Sequence, residues 1–183
     1  MNHRVCQKLV MHPASRSGAV QYVGVAIGRD APGALRISWR IAGEISRLRL
    51  PAAAMPLRAD GLWQHSCFEA FLRADDADSY HEFNFAPSRA WAAYRFTDRR
   101  SGRTSPVMTP PAIQDERAAD SFGLHAVLPV GELPELARAS TIQTGIAAII
   151  EDEHGALSYW ALAHAAREPD FHDPATFTLA LPA

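Results

Sequence analysis

Trp63, His65, Cys67, Glu69, Tyr80, His81, Glu82, Asn84, Trp91 and Arg95 all fall between residues 62 and 96. Carboxylates inside strand-like runs are uncommon unless they are exposed or paired, so Glu69 and Glu82 ask for a partner. Flat aromatic rings beside carboxylates and an amide suit a small polar ligand with apolar C–H faces and a rim of hydroxyls, a saccharide above all. Trp63, Trp91 and Trp160 would stack on such a ring, while Glu69, Glu82, Asn84 and Arg95 hydrogen-bond its rim and Tyr80 shares their face. Core packing is the competing role for each tryptophan.

The same residues allow other chemistry. His65, Cys67 and Glu69 alternate along one strand and are zinc-ligand types, but no second closely spaced pair accompanies them. Haem would need an axial pair, such as Met55 or Met108 with a histidine. Glu69 and Glu82 could form the acid/base couple of a glycoside hydrolase. Asp170 and Asp173, in a proline-bounded loop, could ligate calcium; Asx turns are the commoner use of such a loop. The chain has no nucleophile elbow, phosphate loop or dinucleotide fingerprint.

Period-two alternation supplies the elements that would position these groups. Residues 65–73, 80–85 and 91–96 read as three strands joined by short turns at 74–78 and 86–89. Alternation puts Phe68, Ala70, Leu72, Phe83 and Phe85 on one face, continued by Ala92, Tyr94 and Phe96. The other face then carries His65, Cys67, Glu69, Phe71, Tyr80, Glu82, Asn84, Trp91 and Arg95. Glu69 is expected opposite Asn84, and Asn84 opposite Trp91. Further strands are expected at 5–12, 20–27, 35–41, 122–130, 142–150, 157–164 and 177–181, with a weaker strand or irregular segment at 45–50, at best an edge strand at 106–113, and a short helix at 132–139. Roughly ten or eleven short strands with almost no amphipathic helix predict an all-β, antiparallel β-sandwich.

At 183 residues, with 48% hydrophobic and 21% charged residues, the chain suits one soluble domain, residues 1–183, with a core large enough to need no disulfide framework. Its two cysteines, Cys6 and Cys67, form no such framework. A formal net charge of −2 gives no reason to expect nucleic acid or an anionic membrane as a partner. The first residues show no signal-peptide pattern and no run is long enough to span a membrane, so a cytoplasmic location is expected. Exposed sandwich edges leave room for a homodimer.

Trp63 with Cys67, Phe68 and Glu69, then the run 80–88 (YHEFNFAPS), then 91–96 (WAAYRF), resemble the bacterial DOMON-like proteins, which are similar in turn to family 9 carbohydrate-binding modules. Residues 145–152, 158–162 and 169–174 resemble that family's ending. The resemblance implies an immunoglobulin-like or jelly-roll sandwich with a sugar or haem site on one sheet. It implies that Trp63 and Trp160 clamp a sugar, and that Glu69, Glu82 and Asn84 form the polar floor. The expectation is therefore a non-catalytic, cofactor-free binder of a saccharide-like ligand; a haem-binding domain and a carboxylate-based hydrolase are the alternatives.

Overall fold

The computed structural model describes residues 4–182. Two antiparallel sheets face each other. The first has the order β1 (Arg4–Lys8), β3 (Val20–Ala31), β4 (Ala34–Gly43), β9 (Ser121–Leu128), β8 (Ala112–Arg117). The second has the order β2 (Val10–Met11), β11 (Leu157–Ala161), β10 (Thr141–Glu151), β5 (Cys67–Ala74), β6 (Tyr80–Phe85), β7 (Trp91–Phe96). A last strand, β12 (Leu179–Pro182), pairs with the start of β10. The expected β-sandwich is the architecture found.

The core lies where the alternation puts it. Val23, Val25 and Ile27 of β3, Leu35, Ile37, Trp39 and Ile41 of β4, and Phe122, Leu124 and Ala126 of β9 meet Phe68, Ala70, Leu72, Phe83 and Phe85 from the second sheet. Trp39 packs against Phe68 and Phe85 with ring centroids 5.7 Å from each. Burying side chains of this size contributes about 1.5–3 kcal/mol each, which is what holds the sheets face to face.

Several elements depart from the sequence expectation. Residues 5–12 are not one strand: β1 joins the first sheet, Leu9 is fully buried, and β2 joins the second, so the segment crosses between layers. Residues 45–50 hold a single 3-10 turn, Ile45–Arg47. The edge strand expected at 106–113 is β8, displaced beyond the prolines, because proline lacks the N–H that a ladder needs. The short helix is α1 (Pro134–Arg138), opened by a proline at its first turn.

The consequential departure is in β7. Glu69 does lie opposite Asn84, but Asn84 pairs with Ala92, and it is Phe85 that faces Trp91. A one-residue slip moves every side chain of a strand to the other face. Trp91 and Ala93 therefore join the inter-sheet core, and Ala92, Tyr94 and Phe96 turn outward. The turn before β7 sets this register: Ala86 N–H donates to the Ala90 carbonyl at 2.8 Å, with Arg89 held in the left-handed region at φ 70°.

The outward face of the second sheet is itself largely covered. Cys67, Phe71, Tyr80, Tyr94, Phe96, Ala147 and Ile149 form a second apolar layer, closed over by Phe171 and Phe177 from the segment between β11 and β12. Phe177 stacks on Phe71 at 5.8 Å and fits because Gly145 below it has no side chain: a Cβ there would come within 2.6 Å of the ring.

Candidate functional site

Where this covering layer opens, a cavity of about 420 Å³ sits on the outer face of the second sheet. Its floor is the strand pair β5–β6. Glu69 and Glu82 line it, 3% and 5% exposed, and Asn84 lies fully buried beside both. Asn84 is opposite Glu69 across the ladder and two residues from Glu82 on its own strand, so all three share a face. The Asn84 amide donates from Nδ2 to Glu82 Oε1 at 2.7 Å.

Aromatic and cationic side chains form the walls. Trp63 comes from a 3-10 turn, Leu62–Gln64, entered through Gly61 in the left-handed region. It meets the edge of Tyr94 with ring centroids 6.3 Å apart, and the Arg103 guanidinium lies 5.1 Å above that same tyrosine. The Tyr94 hydroxyl donates to Asp60 Oδ1 at 2.5 Å. Ile149 and Tyr159 stand on the side of β10 and β11, with Pro169, Phe171 and His172 completing the ring.

An ion-pair cluster fixes the mouth. Asp170 takes Arg99 and Arg100, the latter at 2.9 Å, and Asp173 takes Arg99 at 3.3 Å. Burial raises the Asp170 pKa, but the guanidinium bonds outweigh it and hold the carboxyl down at about 2. Tyr80 ties this cluster to the floor: its oxygen accepts from the Arg100 N–H at 3.1 Å and lies 2.7 Å from His172 Nδ1. Burial, then Arg100, hold His172 down to about 4, so the ring is neutral at pH 7. A neutral ring that accepts the Tyr80 proton at Nδ1 carries its own on Nε2, which lies 3.6 Å from Glu82 Oε2.

The floor carboxyls are perturbed in the opposite direction. Burial, then the neighbouring Glu82, push Glu69 well above its ordinary value, against a pull from Arg100 and a hydrogen bond from Cys67. Burial also raises Glu82, against the Asn84 hydrogen bond, Arg100 and Arg103. Two desolvated carboxyls next to each other resist ionising together. Such a floor, with aromatic walls, can hold a polyhydroxylated ring by its edge and its face at once.

Of the expected site residues, Trp63, Glu69 and Glu82 line the cavity and Asn84 supports its floor. Tyr80 lies in the layer beside it, binding His172 and Arg100. Three others are elsewhere. Trp91 is in the inter-sheet core with the Arg58 guanidinium 5.2 Å from its ring. Arg95 leaves the sheet on the core side and binds Glu135 of α1, with Nε 3.0 Å from both oxygens. Trp160 is core, its Nε1 donating to Ser158 Oγ at 3.0 Å; its neighbour Tyr159 is the ring that faces the cavity. Tyr94, Tyr159, Phe171, Arg100, Arg103 and His172 were not anticipated. Tyr94, Tyr159, Phe171 and His172 fall within the runs that carry the family resemblance, whereas the signal available for Arg100 and Arg103 is the charge of their segment, opposite to that around Asp170.

No known family model matches the sequence, and no curated protein does. Solved structures do match. A protein from Bacteroides uniformis, provisionally described as carbohydrate-binding, superposes with TM-score 0.68 at 15% identity over 97% of this chain and 85% of its own. A family 9 carbohydrate-binding module from Caldicellulosiruptor kristjanssonii, in complex with cellotriose, gives TM-score 0.56 at 10% identity, covering 95% of this chain and 80% of the module. The same kind of module with glucose gives 0.56 at 8% identity, covering 95% and 83%. The chain has the fold of the family 9 carbohydrate-binding modules.

Among the described residues no group of three or more His, Cys, Asp or Glu side chains is arranged to hold a metal ion. Of the zinc-type set, His65 turns to Glu151, with Nδ1 2.8 Å from Oε2, while Cys67 is buried with its pKa raised, first by desolvation. The aspartates of the calcium-type loop serve as turn caps and arginine partners, Asp173 accepting from the Ala175 N–H at 2.9 Å. Among the described residues no helix is long and apolar enough to cross a membrane.

Proposed function

We propose that the chain binds a saccharide, without catalysis, in the cavity above Glu69 and Glu82. The observation that carries this reading is a buried carboxylate pair, braced by an amide, beneath an open cavity walled by Trp63, Tyr94, Tyr159 and Phe171. Sugar C–H faces pack on such rings, and vicinal hydroxyls donate to carboxylate oxygens. The volume falls within the ~300–1,000 Å³ usual for small-molecule sites. The family 9 module complexes of the same fold, with cellotriose and with glucose, favour gluco-configured sugars as the first to try.

The ring assignment differs from the one that the sequence resemblance implied. Trp63 keeps its place, but its partner across the cavity is Tyr159 or Phe171, not Trp160. Hydrogen bonds to charged groups contribute about 1.5–3 kcal/mol each, so Glu82→Ala should weaken affinity by about tenfold or more. Calorimetric titration with glucose, cellobiose and xylose tests this in the wild type, Trp63→Ala and Glu82→Ala. Binding that is lost in both variants supports the reading. Absence of binding by every sugar, or affinity untouched by both substitutions, overturns it. Turnover of a nitrophenyl glycoside would overturn its non-catalytic part.

A further inference from the structure

Asn84 offers two donors and one acceptor. Nδ2 donates to Glu82 at 2.7 Å, whereas Oδ1 is buried without a partner in the protein. A buried, unpaired carbonyl costs about 1–3 kcal/mol, and the side chain opposite it across the ladder is Glu69. The other donors around the floor have other partners or stand on the cavity's walls. The Cys67 thiol lies between the Phe68 carbonyl and the Glu69 carboxyl, and the Tyr94 hydroxyl is given to Asp60. Tyr80 donates to His172 Nδ1, His172 Nε2 faces Glu82 Oε2 at 3.6 Å, and Arg100 serves Asp170. Arg103 lies over Tyr94, and Glu151, beyond Ile149 on β10, is held by Arg49 and His65. Tyr159 stands on the far wall of the cavity. The donor that Oδ1 lacks can come from a proton on Glu69 itself. Reversing the amide only relocates the requirement, since Oδ1 would then face Glu82 Oε1 and that carboxyl would need the proton.

We infer that the site stores one proton in a directed chain, in which a neutral Glu69 donates to Asn84 Oδ1 and Asn84 Nδ2 donates to an ionised Glu82. The floor then presents one acid and one carboxylate, a donor and an acceptor, not two anions. Burial and the neighbouring charge of Glu82 favour this state for Glu69 over the opposing pull of Arg100 and Cys67, while Asn84, Arg100 and Arg103 oppose burial and favour the charge on Glu82. The inference concerns the site of the saccharide reading, but it is tested without sugar.

Two readouts decide it. Infrared spectroscopy of the unliganded protein at pH 7 should show a protonated-carboxyl band that Glu69→Gln removes and Glu82→Gln keeps. Thermal and denaturant unfolding from pH 5 to 8 should show the second sign. Above about pH 4.3 an unfolded glutamate has lost its proton. A native Glu69 that keeps its proton therefore makes wild-type stability fall as pH rises. Relative to Glu69→Gln, the wild-type folding constant should fall about tenfold per pH unit until Glu69 itself ionises. A missing band, or a difference between wild type and variant that does not change with pH, overturns the stored proton. Either result is independent of the sugar titration: a protein that binds glucose but lacks the band refutes this inference alone, and one with the band that binds no sugar refutes only the saccharide reading.

Discussion

Replacing Trp160 and Tyr159 separately by alanine tests which face of β11 belongs to the site. Trp160 is 6% exposed, packed between the sheets, and donates to Ser158. Truncating a buried tryptophan costs about 3–5 kcal/mol, and the lost hydrogen bond about 1 kcal/mol of that order. With about 4 kcal/mol lost, and about 3 °C per kcal/mol for a chain of this length, Trp160→Ala should lower Tm by about 12 °C. Its sugar affinity, measured well below that Tm, should stay near the wild-type value, since the ring does not reach the cavity. Tyr159 is only partly buried at the cavity wall. Tyr159→Ala should lower Tm by a few degrees at most and weaken binding severalfold or more. Differential scanning fluorimetry and calorimetry on the two variants give the comparison. If Trp160→Ala melts within about 2 °C of wild type while binding is abolished, the strand faces are reversed and the site described above is wrong.

Two further outcomes follow from the covering layer. Asp170 is held ionised by Arg99 and Arg100, so its contribution is present above the unfolded aspartate value near ~3.9 and is lost as pH falls through about 2. The arginines are solvent-facing, which limits the effect to about 1 kcal/mol. Asp170→Asn should melt about 3 °C lower than wild type at pH 6, with the gap closing toward pH 2; a gap that persists there would mean that the loss is not ionic. Gly145→Ala places a methyl group 2.6 Å from the Phe177 ring and should cost about 1–3 kcal/mol in urea unfolding, whereas Gly18→Ala, with nothing within 4 Å of its Cβ, should cost little. Equal midpoints for the two would show that Phe177 does not close over β10 as described.

The strands that build the core were legible because their inner and outer residues differ in kind. Leu35, Ile37, Trp39 and Ile41 against Arg36, Ser38 and Arg40 leave no choice of face. The pairing of Glu69 with Asn84 followed from the same alternation and a short turn. β7 was misjudged because its alternation carries almost no contrast: every residue from Trp91 to Tyr94 is buried, whichever face it takes. Both faces of the second sheet are covered, one by the other sheet and one by Phe171 and Phe177, so hydrophobicity marks neither. Residues 158–160 posed the same problem, and the larger ring was taken for the ligand-facing one. Periodicity could not place Arg100, Arg103 and His172, because they approach the floor from segments about seventy positions apart that no alternation relates.

That separation has a consequence for how the cavity can change. Floor residues arrive together from one hairpin, and their geometry is inherited with the sheet's pairing. The rim is assembled from two distant loops stapled by Arg99, Arg100 and Asp170. Insertions or exchanges in either loop can reshape the opening, from a slot for one ring to a trough for several, while the carboxylates beneath keep their register. Under the proposed function, diversification would therefore be confined to the rim, leaving the hairpin unchanged.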